Sequence, residues 1–158
     1  MKRKITRMLM PACLALILSV ISAPLQAQVS HCSTAGAAGK WAYTGTIFTP
    51  SGPVPAASVG HFTEDASGNL TGSQTRSVAG SSGGEDIAGT ISVNRDCTAT
   101  ATLSVFVNGQ LQRTAVLAVV FDRNMNHARG IFESLVLPNG TNVPVVITSD
   151  NSRMFPKD

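Results

Sequence analysis

From Lys40 onward the chain alternates apolar and polar residues, and turn-forming clusters interrupt the alternation at regular intervals. Thr, Val, Ser and Ile are prominent in the alternating runs. No stretch of helical length carries apolar residues at i, i+3, i+4 and i+7 free of Gly or Pro. A period of two punctuated by turns predicts an all-β fold. Eight strands follow from it: Lys40–Phe48, Ala57–Glu64, Leu70–Val78, Asp86–Val93, Cys97–Val107, Gln110–Phe121, His127–Leu137 and Asn142–Ser149, the last extending toward Phe155. The fifth is the clearest half-buried strand. Ala99, Ala101, Leu103, Val105 and Val107 share one face, and Thr98, Thr100, Thr102 and Ser104 share the other.

The connections are short. Asp65–Asn69 and Asn94–Asp96 read as turns, and Asn108-Gly109 is a strong hairpin dipeptide. Gly80–Gly84 reads as a flexible loop tip. Only Thr49–Pro55, with three prolines, is a longer connection, because proline cannot donate to a strand ladder. Eight consecutive antiparallel strands form an up-and-down meander. With no helix to cover its edges, such a sheet gains by closing into a small barrel. A two-sheet β-sandwich is the alternative, and it usually needs longer crossing connections.

Residues 1–27 stand apart from this pattern. Lys2, Arg3, Lys4 and Arg7 precede an apolar run from Met8 to Ile21, and Ser22–Ala27 is rich in small residues. That layout predicts a secretory signal peptide, cleaved after Ala27 or, alternatively, after Ala23. The apolar run is shorter than the ~20 residues of a membrane span and contains Pro11. No membrane span is therefore expected after cleavage, and residues 28–158 form a single domain.

Cleavage changes the charge. The chain has 12 Lys+Arg and 9 Asp+Glu, a net charge of +3, but four of the basic residues and none of the acids lie in residues 1–27. The remainder carries eight basic and nine acidic side chains. No basic patch is left to neutralise phosphates, so nucleic acid is not an expected partner. Cys13 leaves with the segment. Cys32 and Cys97 remain as an even pair in an oxidising compartment and are expected to form a disulfide. A lipid-anchored Cys32 is disfavoured by His31, which stands where such a site wants a small residue.

Several stretches resemble a family of small secreted, uncharacterised bacterial proteins. They are Cys32–Gly36, Gly39–Tyr43, Val59-Gly60, Gly68–Gly72, Gly89–Asn94, Asp96–Thr98 and Leu137–Gly140. Members of that family look like calycin-type barrels, similar in outline to lipocalins and to allene oxide cyclase. Gly39-Lys40-Trp41 fits the Gly-x-Trp that lipocalins carry near the first strand. The resemblance implies the barrel and a secreted or periplasmic bacterial protein. Both cysteines sit where the family pattern has them. It supplies no site.

The chemistry-bearing residues are few. His31 and Cys32 lack a second close His/Cys pair, so no metal site is expected. No Gly-x-Ser-x-Gly elbow occurs, and Glu64-Asp65 and Glu85-Asp86 read as solvated carboxylates beside turns. Asn69-Leu70-Thr71 and Asn139-Gly140-Thr141 match glycosylation sequons and read as turn chemistry. No cofactor is expected.

Arg113 alternates with Leu111, Ala115 and Leu117. Glu133 alternates with Ile131, Leu135 and Leu137. Arg76 alternates with Leu70 and Val78, and His61 with Val59. If those faces line the barrel, these residues are polar fixtures in an apolar cavity, the usual form of a small-molecule site. The opposite arrangement turns Arg113 and Glu133 outward and buries Val116, Ala118, Val120, Phe132 and Val136. A slip of one residue exchanges the two.

Three functions are weighed on this basis. The first is a non-catalytic module binding a small apolar or amphipathic ligand. The second is a structural or envelope-associated interaction protein with a filled core, which the low aromatic content of 5% favours. The third is a cyclase or isomerase resembling allene oxide cyclase, in which a dry cavity orients a reactive substrate.

Overall fold

The computed structural model describes residues 32–48 and 56–156. The predicted signal segment, His31 and the proline-rich connection 49–55 lie outside the described residues. A short helix, α1 (Thr34–Ala37), precedes eight strands. They are β1 (Gly39–Phe48), β2 (Ala56–Glu64), β3 (Asn69–Val78), β4 (Ser81–Val93), β5 (Thr98–Val107), β6 (Gln110–Phe121), β7 (His127–Val136) and β8 (Val146–Arg153). Each strand pairs antiparallel with its sequence neighbours, and β8 pairs with β1. The sheet is thus a closed meander, the barrel rather than the sandwich. Among the described residues no helix is long and apolar enough to cross a membrane.

Two predicted boundaries are corrected. There is no loop tip at Gly80–Gly84. β3 and β4 meet at a two-residue turn, Ala79-Gly80, with φ of +52° and +83°, and Val78 pairs with Ser81. Two successive positive φ values make the tight hairpin turn whose twist matches the strands. Ser81, Ser82, Gly83 and Gly84 are therefore strand residues, polar and small because they stand exposed at the barrel rim. The last strand starts at Val146, not Asn142. Asn142 makes only an isolated bridge to Val136, and Pro144, lacking an N–H, interrupts the ladder.

Two β-bulges decide which side chains enter the barrel. On β6, Val105 pairs with Arg113 but Phe106 pairs with Leu111, so Gln112 is an extra residue. Leu111 and Arg113 consequently point to opposite sides, against the simple alternation, and Leu111 is exposed. On β7, Val116 pairs with Ser134 but Leu117 pairs with Phe132, which makes Glu133 the extra residue. Phe132 and Leu135 both face inward, and Glu133 is exposed.

One end of the barrel is sealed. Trp41, on β1, is 1% exposed and donates from its indole N–H to the Ala37 carbonyl at 3.0 Å. The Arg153 guanidinium lies 4.7 Å from the Trp41 ring centre, a cation–π distance. It also donates to the carbonyls of Met125, Ala38, Gly36 and Ala37. Those carbonyls include helix-end acceptors that α1 cannot satisfy itself. Burial lowers the Arg153 pKa from its ordinary value, and the charges of Glu64 and Asp122 oppose that. Phe121 packs edge-on against Trp41 at 5.6 Å between ring centres, and Phe62 stacks on its other side at 6.2 Å. The Cys32–Cys97 disulfide ties the segment before α1 to the turn between β4 and β5.

Candidate functional site: the barrel interior

Above the Trp41 floor the barrel is hollow. The cavity measures about 390 Å³. Its walls are mostly aliphatic and aromatic, among them Ile87, Ala101, Leu103, Leu117, Phe132 and Ile147. The small residues Gly45, Ala101 and Ala115 line the same space, and their short side chains leave it unfilled. Their alternation on β1, β5 and β6 therefore sets the width of the hollow as well as the face of each strand.

A polar cluster interrupts the apolar wall on the mouth side, while Glu64, Thr148, Ser149 and Asn151 line it elsewhere. The cluster's centre is Glu85, only 6% exposed although the sequence suggests a solvated carboxylate beside a turn. The extension of β4 back to Ser81 puts Glu85 on the inward face with Ile87. The Glu85 carboxylate accepts from Gln74 Nε2 at 2.5 Å, Arg76 Nε at 3.0 Å and Arg113 Nη1 at 2.9 Å. Arg113 Nη2 donates to the second carboxylate oxygen, completing a bidentate pair. The Tyr43 hydroxyl donates to Gln74 Oε1 at 2.6 Å. An ionised carboxylate only accepts, so the amide N–H of Gln74 must face Glu85 and its oxygen must face Tyr43.

Burial alone raises the Glu85 pKa. The Arg113 hydrogen bonds and charge, with Arg76 and Gln74, outweigh burial and hold it below its ordinary value. Tyr43 goes the other way: burial, reinforced by the Glu85 charge, pushes its hydroxyl well above its ordinary value. Glu85 is therefore a carboxylate with four donors and a low proton affinity. It is badly placed to act as a general base. Tyr43 remains a neutral donor.

Of the residues singled out in the sequence, Arg113 and Arg76 line the cavity. Glu133 does not, because the β7 bulge turns it outward. His61 faces outward as well: it alternates with Val59, which is 57% exposed, while Phe62 takes the inward position. Val116, Ala118 and Val120 lie on the outer face of β6. The two alternatives for strands six and seven are thus split, with β6 pointing Arg113 inward and β7 pointing Phe132 inward.

Tyr43, Gln74 and Glu85 complete the cluster beyond the residues that the sequence marks. Gln74 alternates with Arg76, and Tyr43 with Trp41, so both were within reach of the same argument. Glu64, only 2% exposed, lines the same cavity toward the sealed end. Among the described residues no group of three or more His, Cys, Asp or Glu is placed to hold a metal ion.

No family model matches the chain, and no curated protein matches it. Among solved structures it is similar to Rv2717c from M. tuberculosis, at 13% identity and a TM-score of 0.40, over 76% of this chain and 94% of that one. A likeness of that size is too weak to carry a site from one chain to the other.

Proposed function

We propose that this protein is a non-catalytic binding module that takes one small apolar or amphipathic molecule into its barrel. The observation that carries this reading is the hollow of about 390 Å³, walled mostly by apolar side chains with a few polar groups among them. Ligand sites of small molecules have that volume range and that composition. The hollow supports this reading over that of a structural protein with a filled core. The saturated Glu85 carboxylate supports binding over catalysis. The disulfide suits a periplasmic or extracellular place of work, where thiols are oxidised. The calycin resemblance of the sequence belongs to the same reading.

Titration of the disulfide-bonded protein with the neutral dye N-phenyl-1-naphthylamine tests it. Dye fluorescence is expected to rise and saturate at one dye per chain. Ala101→Phe, which projects a ring into the hollow, is expected to weaken binding about tenfold or more. Its circular dichroism should match that of the parent. A dye that stays dark, or that binds the Phe variant equally well, overturns the proposal.

A further inference from the structure

The polar cluster does not balance its charges. It holds two guanidinium groups and one carboxylate, and both guanidinium residues line the cavity in front of the Glu85 that pairs them. The two arginines are not equivalent. Arg113 is 13% exposed at its side chain and spends both Nη groups on Glu85. Arg76 is 39% exposed and gives Glu85 only its Nε. Its two Nη groups have no acceptor among the described residues. Glu85 has no capacity left for them, since four donors already occupy its oxygens.

The surroundings of Arg76 leave room for an incoming acceptor. Its cross-strand neighbours are Ser58 on β2 and Gly83 on β4. Ser58 lines the cavity and offers a hydroxyl. Gly83 offers no side chain, and a Cβ built there meets nothing within 4 Å. The wall is therefore open beside the Nη end of Arg76, the more exposed of the two guanidinium groups and the one whose Nη pair Glu85 does not use. A paired guanidinium fork donates to two oxygens of one anion, whether a planar carboxylate or a tetrahedral oxyanion.

We infer that the barrel selects an amphiphile carrying one negative charge, such as a carboxylate or sulfonate, with its acid group on the Arg76 Nη pair and its apolar body toward the Trp41 floor. This rests on the binding reading above and adds the charge class and the residue that reads it. A single anion brings the cluster to neutrality. A neutral amphiphile leaves the second guanidinium without a counter-charge, and a dianion brings one charge too many into an apolar hollow. Arg113 acts here as a positioning residue: it fixes Glu85, and Glu85 fixes Arg76 through its Nε.

Two dyes of nearly the same shape separate this inference from its premise. N-Phenyl-1-naphthylamine is neutral, and 8-anilinonaphthalene-1-sulfonate is the same ring system with one sulfonate. Both are titrated into the disulfide-bonded protein and into two variants. Arg76→Gln is expected to weaken the sulfonate dye about tenfold and to leave the neutral dye within about twofold. Gly83→Asp sets a carboxylate opposite Arg76 in open space, and the same selective loss is expected there. This second variant decides the matter if Arg76→Gln does not fold. Sulfonate binding should also fall with added salt while neutral binding does not.

If the neutral dye binds and both variants leave the sulfonate dye unaffected, the inference fails and the binding module stands. Loss of both dyes to the same degree in both variants also overturns it, because the change is then not one of charge reading. If neither dye binds the parent protein, the binding module and the inference fall together.

Discussion

Glu85→Leu is expected to cost about 3–5 kcal/mol of stability, among the largest losses any single substitution in this barrel would cause. The reason is the partner left behind. Arg113 is mostly buried, and its Nη groups are aimed at a carboxylate that would no longer exist. An uncompensated charge in an apolar hollow costs more than the lost hydrogen bonds themselves. The double variant Glu85→Leu/Arg113→Met removes both charges and is expected to recover most of the loss. Urea unfolding of the three proteins checks this, read at constant slope. A double variant no more stable than the single one would show that the pair is held by something other than mutual charge compensation.

The same pair gives a pH dependence with a definite sign. The Glu85 pKa is lower in the folded protein than its ordinary value of 4.5. Its contribution is therefore fully present above the ordinary carboxylate range and is lost as pH falls below it. The parent protein should lose stability on acidification through that window. The double variant should lose less.

Replacing both cysteines of the Cys32–Cys97 bridge by serine is expected to cost about 4 kcal/mol, from the chain-entropy value for a loop of this separation. The bridge closes a separation of 65 residues, so the unfolded chain gains much freedom without it. Locally it holds the segment before α1 against the β4–β5 turn, and α1 in turn gives Trp41 and Arg153 their carbonyl partners. Denaturation of the parent protein with and without reductant, beside the serine variant, measures the effect. The reduced parent and the variant should unfold at the same urea concentration. A difference below about 1 kcal/mol would remove the bridge as a main source of stability.

The fold was readable in the sequence because period-two alternation and hairpin turns act locally. Asn108-Gly109 lies at a turn with φ of +50° and +76°, as that dipeptide predicts. Ala79-Gly80 forms an equivalent turn with a weaker dipeptide, so the serines and glycines after it read as loop. That one misreading hid Glu85, the centre of the polar cluster. The bulges at Gln112 and Glu133 were hidden for a different reason. A bulge changes the phase of a strand through its pairing with a neighbour, and alternation within one strand carries no record of the partner. Arg113 and Arg76 line the cavity, and apolar neighbours two residues away mark that inward face in the sequence. Glu133 carried the same mark, on the far side of a bulge.

Barrel closure has a consequence for how the chain assembles. Among the described residues every strand pairing in the barrel joins neighbours in sequence except one, the seam where β1 meets β8 and Trp41 pairs with Arg153. Hairpins between sequence neighbours form on a scale of about microseconds, whereas the seam must bring nearly the whole domain's ends together before any of its contacts can repay the lost freedom. Seam formation is therefore expected to be the last event of folding. The chain's single tryptophan sits on that seam, against Arg153, Phe62 and Phe121. Its fluorescence is a built-in clock for the moment the cylinder shuts.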